Sequence, residues 1–386
     1  MGIKGLLPVL KPAFQRKHLS EYSQKCIAID GFGLLHRAVY TCPKELCLQQ
    51  PTSLYLEYCL KFLHTLQSHN IKPFVVFDGA PLPSKQVTTE LRQIRRTEAT
   101  KTLTNSVEKE GESTPRKIYA AAAPITSLML ARVIHLCQKL NISYLCSPFE
   151  TDAQVAHLFQ KGLIDGVLGE DSDFIIWRLP LVLLKYDGKT ETVDEYHSSR
   201  LYLTPLGNYS FNSFLEIAIL AGCDYCTNPR GVGIKTAMKL REQFDSMGQV
   251  LQHLIGEGKI DSIYIQSFLK AFVTFHCMIV YDYDDGHVPF QSWSSVFDLL
   301  HELIEGFDCL SDALKELDFN RDVIPSFCGS VQSKSIADDI GSHVVSPYSL
   351  QPVSFDPDDD VDFEILKSSN HEVVQLLLPK IFDSEN

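Results

Sequence analysis

Apolar positions in this chain fall into two patterns: short unbroken runs, and longer stretches in which they recur every three or four residues. CIAID (26–30), FVVFD (74–78) and GVLGEDSD (166–173) are runs of the first kind. Strands covered on both faces need no polar alternation, so these read as buried strands of a parallel sheet, joined by ISYLC (142–146). Leu56, Leu60, Leu63 and Leu66 show the second pattern and predict a helix over 52–69, with further helices over 124–140 and 151–161. Residues 180–196 read as a hairpin, 211–245 as two helices around the turn NPRGVG, and helices continue to about 318. The order predicts an α/β fold: a twisted, mostly parallel sheet flanked by helices.

Two segments break the pattern. Residues 81–123 are polar and rich in Lys, Arg, Glu and Thr. Within them, 84–110 has helix-forming composition without an apolar stripe, so it is expected to stand exposed or mobile. Beyond 330 the chain turns Ser-, Asp- and Pro-rich, with DPDDDVD at 356–362, and reads as a mobile acidic tail. VVQLLLP (373–379) is a candidate docking element inside it, and no internal repeat is visible.

The strand-like runs end on acids. Asp30, Asp78, the pair Glu150 and Asp152, the pair Asp171 and Asp173, and Asp224 make seven candidates. In an open α/β sheet the carboxyl ends of the strands face the ligand crevice. Acids gathered there repel one another unless cations intervene, and hard oxygen donors suit Mg²⁺ or Mn²⁺. Two such ions about 4 Å apart form a common apparatus for cutting a phosphodiester. Each pair also has a plainer reading. Glu150 and Asp152 open a helix, where acids cap amides and favour the dipole. Asp171 and Asp173 follow a strand, where acids build turns. Four separate strand ends supplying acids favour the metal reading.

A net charge of −13 and a pI near 5.4 argue against nucleic acid as a partner until the charge is located. Residues 331–386 hold eleven acids against three lysines, eight of the thirteen excess negatives. The remainder is nearly balanced and can hold basic patches. In one patch, Arg92, Arg95 and Arg96 follow Lys85 and share a helical face at i, i+3, i+4 spacing. This is either a solvated face or a cationic gate that holds a phosphate over the acids. A second patch is Arg230-Gly231-Val232-Gly233-Ile234-Lys235, with Lys239 beyond. Two glycines before a helix make a simple turn, or one whose N–H groups face a phosphate without reading sequence.

Eleven scattered cysteines favour a reducing compartment. The single C-x-x-C, Cys223 to Cys226, lacks the second pair a structural zinc site needs. No run of 18 apolar residues exists, so no transmembrane helix and no membrane partner are expected. MGIKGLLPVLKP is interrupted by Lys4, Pro8 and Lys11 and lacks a signal-peptide core, while Leu6 departs from the myristoylation pattern.

Five motifs in order now carry a resemblance: MGIKGLLP (1–8), VVFDG (75–79), FETDAQVAHL (149–158), GEDSD (169–173) and AGCDYCTNPRGVGIKTA (221–237). Over roughly residues 1–320 the chain resembles the flap endonuclease (XPG) superfamily of structure-specific 5′ nucleases. IKPFVVFDGAPLPSK (71–85) and RQIRR (92–96) are similar to its exonuclease 1 branch. The resemblance implies a PIN-like nuclease core from residues 1–100 and 124–224, with a helical arch over 80–123. It also implies a DNA-gripping helix–two-turn–helix module within 211–320 and an acidic tail over 330–386.

The resemblance further implies two Mg²⁺ ions, replaceable by Mn²⁺. Asp30, Asp78, Glu150 and Asp152 would serve mainly one, and Asp171, Asp173 and Asp224 mainly the other, with Asp152 between. Lys85 and Arg92 would engage the scissile phosphate, with Arg95 and Arg96 as further DNA contacts. His36 would lie against the terminal base pair and Gly2 near the active site. Arg230, Gly231, Gly233 and Lys235 would grip the uncut duplex, near a K⁺ held by turn carbonyls.

Three departures stand out. Gly31-Phe32 replaces an expected polar-aromatic pair, Gln291 to Phe297 is a poor sliding-clamp motif, and the long regulatory tail of many relatives is missing. Protein partners are therefore left unassigned. The expected function is a Mg²⁺-dependent 5′→3′ exonuclease on double-stranded DNA with 5′-flap endonuclease activity. It would act on 5′ ends, nicks or flaps in nuclear DNA repair or recombination. The alternatives are a flap endonuclease of replication and repair, or a non-catalytic junction binder. The second would gain nothing from acids beside phosphates.

Overall fold

The computed structural model describes residues 2–353 apart from 111–113, 318 and 348. Seven strands form one sheet: β1 (Phe14–His18), β2 (Cys26–Asp30), β3 (Lys72–Phe77), β4 (Ser143–Cys146), β5 (Gly166–Leu168), β6 (Leu181–Asp187) and β7 (Thr192–His197). Their order is β1-β7-β6-β5-β2-β3-β4. The run from β4 to β6 is parallel, while β7 returns antiparallel beside β6 and β1 closes that edge antiparallel to β7. The predicted runs form strands because both of their faces are covered. Ala28, Val76, Val167 and Val182 enter one core, and Ile27, Ile29, Val75, Phe77, Leu168 and Leu183 enter the other.

Helices α1 (Gly31–Val39) and α2 (Leu54–Ser68) cover the second of these faces with Leu34, Leu35, Leu60 and Leu63. A 25-residue helix, α3 (Gln86–Glu110), and the shorter α4 (Arg116–Ala122) follow. Next come α5 (Ser127–Lys139), which packs on α2, and α6 (Thr151–Gln160), which lies on the opposite face. The chain runs outward through β2, β3 and β4, then crosses back so that β5 lies on the other side of β2. The crevice at this switch point is where such sheets bind ligands.

Helix α3 is exposed along most of its length, as its composition predicts. It is tied down at its far end, where Leu103 packs with Tyr119 and Ala122 of α4. Arg116 anchors α4 by donating from Nη2 to the carbonyls of Tyr40 (2.6 Å) and Thr41 (2.9 Å).

Further along the chain, α7 (Phe211–Leu220), α8 (Ile234–Gln243) and α9 (Ser262–Cys277) continue the core of the α6 face. The structure then departs from expectation twice. The helical stretch expected to run to 318 is interrupted by a hairpin, β8 (Ile279–Asp282) and β9 (Gly286–Pro289). Asp282 closes its turn by accepting from the N–H groups of Asp284 and Asp285 (2.9 and 3.2 Å). Gln154 of α6 exchanges two hydrogen bonds with the Tyr281 backbone (2.7 and 2.8 Å), which welds the hairpin to α6. The second departure lies within the expected tail. Helix α10 (Lys334–Gly341) buries Ala337 and Ile340 and packs against β9 and β4. DPDDDVD and VVQLLLP lie outside the described residues. Among the described residues, no single helix is long and apolar enough to cross a membrane.

Candidate active site

Strand β2 delivers Asp30 to the crevice, and the same carboxylate caps α1 by accepting from Gly33 N (2.8 Å). A side chain at Gly31 would collide with the Phe77 ring, which explains why Gly31 stands where a polar residue was expected. Asp78 follows β3 and accepts from Thr151 N (2.7 Å), so it caps α6 from another strand. Glu150 occupies the capping position by sequence, yet its side chain makes no capping bond. The capping explanation for Glu150 therefore fails, and its carboxylate is free for the crevice.

The loops carrying Asp78 and Glu150 are zipped together. Gly79 N donates to Phe149 O (2.6 Å) and Ala80 N to Pro148 O (2.9 Å). A Cβ at Gly79 would overlap the carbonyls of Ser147 and Pro148. Gly79→Ala is accordingly expected to cost at least about 1–3 kcal/mol, read as a lowered urea midpoint.

Asp171 and Asp173 follow β5. Asp171 Oδ1 accepts from Asp173 N (3.1 Å), so the turn-forming reading also holds. Asp173 Oδ1 accepts from Ile3 N (3.2 Å), and a side chain at Gly2 would strike Ser172, Asp171 and Asp173. The N-terminal segment thus lies directly on these acids. Asp224 sits in a tight turn closed by Cys223 N donating to Cys226 O (2.9 Å).

Basic side chains enter from α3 and from the turn that leads into it. Lys85 Nζ lies 2.6 Å from Glu150 Oε2 and 3.0 Å from Asp224 Oδ2, and Arg92 Nη2 lies 2.6 Å from Asp224 Oδ2. Thr88 Oγ1 donates to the Asp224 carbonyl (2.6 Å). Thr88 was not anticipated, although Lys85, Thr88 and Arg92 share one face at helical spacing. Arg95 and Arg96 are exposed on α3. Partial burial and then the charges of Arg92 and Arg96 lower the His36 pKa, which puts His36 on the side of α1 that faces this helix.

Electrostatics mark the crevice as strained. Burial, then repulsion from Asp171 and Asp173, pushes Asp152 well above the ordinary carboxylate range. Burial, then Asp171 and Asp224, does the same to Asp173. Burial and the Asp78 charge raise Asp30 to about 7, and burial also raises Glu150 and Asp171. Asp224 behaves oppositely: against the upward push of burial, Lys85 and Arg92 hold it low. Lys85 is held protonated against its own burial by Glu150, Asp224 and Asp152.

An all-carboxylate donor set in which Asp30, Glu150, Asp152, Asp171 and Asp173 are pushed upward fits hard divalent cations. The Lys85 ammonium between Glu150 and Asp224 is a stand-in cation. Among the described residues, no three of these acids place oxygens all within 4.8 Å of one another. Like charges with cationic side chains between them stand apart in this way.

The second predicted patch follows α7. Asn228 Nδ2 braces the turn by donating to Val232 O (2.8 Å) and Pro229 O (3.3 Å). Gly231 takes a left-handed φ of 81° and Gly233 is the N-cap of α8. Val232, Ile234, Ala237 and Met238 are buried, leaving Arg230, Gly231, Gly233, Lys235 and Lys239 exposed together.

Models of the XPG N-terminal domain and the XPG I-region match residues 1–99 and 141–224, which between them contain all seven acids. The chain belongs to the XPG/flap endonuclease superfamily. Exonuclease 1 of Arabidopsis thaliana is 33% identical over 289 residues, 73% of this chain and 39% of that protein. Exodeoxyribonuclease 1 of Saccharomyces cerevisiae is 32% identical over 287 residues, 73% of this chain and 41% of that protein. The chain therefore spans about two fifths of these relatives' length. The catalytic core of Rad2 in complex with DNA substrate shares the fold, with a TM-score of 0.51 over 98% of this chain and 99% of that one at 16% identity. For this XPG chain, the matched regions are those that build the crevice.

Proposed function

We propose that this XPG-superfamily chain is a divalent-metal-dependent 5′→3′ exonuclease on double-stranded DNA with 5′-flap endonuclease activity, acting in nuclear DNA repair or recombination. The observation that carries this reading is the convergence of acids from several strand ends under the basic face of α3. Its relatives named exonuclease 1 and exodeoxyribonuclease 1 support it.

Asp30, Asp78, Glu150, Asp152, Asp171, Asp173 and Asp224 would hold Mg²⁺, with Mn²⁺ as a substitute. Bound there, divalent ions would supply a water of lowered pKa and neutralise charge on the leaving 3′-oxygen. The chain's own groups do the rest. Lys85 and Arg92 exchange carboxylate for the scissile phosphate and hold it over the acids. Arg95, Arg96 and His36 steer the strand end beneath α3, while Gly2 lets the N-terminal backbone close on the cluster. Arg230, Gly231, Gly233 and Lys235 hold uncut duplex by its phosphates, with K⁺ at the turn carbonyls. Recognition is of DNA shape rather than sequence.

The test compares Mg²⁺-dependent cleavage of a recessed-5′-end duplex and a 5′-flap duplex of equal length. Stepwise mononucleotide release from the recessed end, at least as fast as flap cutting, is expected. Flap cutting alone would assign a flap endonuclease, and no cutting of either would overturn the enzyme reading.

A further inference from the structure

Among the described residues, one trio of His, Cys, Asp or Glu ligand atoms lies with all members within 4.8 Å of one another: His18, His69 and Glu191. None belongs to the acidic crevice. His18 ends β1, His69 follows α2 as its C-cap, and Glu191 lies in the turn between β6 and β7. We propose that these three side chains form a Zn²⁺ site that staples the antiparallel edge of the sheet to the end of α2.

The distances fit a common ion. Glu191 Oε2 lies 2.7 Å from His69 Nε2 and 3.9 Å from His18 Nε2. Ligand atoms of a tetrahedral zinc, at bond lengths of 2.0–2.1 Å, sit about 3.3 Å apart, between those two values. The imidazoles meet edge to face at 89°, with centroids 5.1 Å apart, so they are not stacked against each other.

Supporting groups hold the ligands in place. His18 Nδ1 lies 2.9 Å from Ser20 Oγ. Donation of its proton to that hydroxyl leaves the Nε2 lone pair for a metal, as the partners of ligating histidines do. Ser20 N donates to the same nitrogen in the metal-free protein (3.2 Å), so zinc binding through Nε2 exchanges that hydrogen bond for the one to Ser20 Oγ. Leu19 N donates to Glu191 O (2.9 Å), and Glu191 holds a left-handed φ of 51°. The Glu191 backbone is therefore held by the residue after His18.

Two imidazoles and one carboxylate suit zinc rather than magnesium. Side-chain exposures of 42%, 18% and 40% for His18, His69 and Glu191 leave a position open to water. His69 precedes β3 and Asp78 follows it, so the site lies at the opposite end of a six-residue strand, about 20 Å from that acid. Its role is structural.

The full chain is stripped with EDTA and placed in excess Mg²⁺, which occupies hard-oxygen sites. Zn²⁺ alone is then added and measured by equilibrium dialysis with metal analysis, alongside thermal unfolding. Wild type is expected to retain one Zn²⁺ equivalent more than His18→Ala or His69→Ala, and only wild type gains several degrees in Tm. Glu191→Gln keeps the hydrogen bond to His69 and weakens retention without altering the Tm in EDTA, so loss of binding is separated from loss of fold. Equal zinc retention in wild type and all three variants, or none in wild type, overturns the site.

Discussion

Asp173→Asn is expected to make the metal-free protein more stable and, at the same time, to remove the proposed nuclease activity. Asp173 is almost wholly buried, and its carboxylate faces Asp171 and Asp224. Asparagine keeps the Oδ1 acceptor for Ile3 N and removes the charge. Relieving buried like-charge repulsion should raise the stability in EDTA by about 0.5–2 kcal/mol, the usual scale for repairing a strained active site. The same change removes a proposed metal ligand. Single-turnover cleavage with Mg²⁺ should fall by on the order of 10²–10³-fold or more, as for loss of a primary charge-stabilising group. Urea unfolding in EDTA and rapid-quench cleavage measure the two effects. Lower stability in EDTA would make Asp173 a structural acid, and retained cleavage would remove it from the proposed catalytic set.

The sheet and its acids were legible because both are written locally. A strand buried on two faces must be apolar throughout, and Asp30 and Asp78 lie immediately where such runs stop. What was illegible depends on partners distant in sequence. Hairpin β8–β9 is held by Gln154, 127 residues away, and by His157 and Lys161 on Asp282 (2.8 and 2.6 Å). Four-residue strands beside a long helical pattern carry no period of their own. Helix α10 needs only Ala337 and Ile340 against the core, too few to outweigh the polar composition around them. Glu150 shows the limit most clearly. Its position promised a cap, but the bond to Thr151 N comes from Asp78, 73 residues before Thr151, and that frees Glu150 for Lys85. The His18, His69 and Glu191 trio has no spacing to read, because three separate elements bring it together.

Lys85→Met tests whether Lys85 substitutes for a divalent cation. The side chain is 11% exposed and bridges Glu150 and Asp224, themselves 14% and 18% exposed. Methionine preserves the apolar stem and deletes the ammonium. Glu150 then loses its ion-pair partner, whereas Asp224 keeps Arg92. Breaking a buried pair from one side costs about 3–5 kcal/mol, because a charge is left uncompensated. That loss is expected in EDTA. In saturating Mg²⁺ it should shrink, because the metal supplies the charge that Lys85 had supplied, so the variant should gain more stability from Mg²⁺ than wild type does. Cleavage should still be slowed, since no group replaces Lys85 on the scissile phosphate. Urea unfolding of both proteins, with and without Mg²⁺, gives the four stabilities that decide the question. An identical Mg²⁺ gain in the two proteins would mean that Lys85 and the metal do not compete for the same carboxylates, and the cation-exchange step assigned to Lys85 would have to be abandoned.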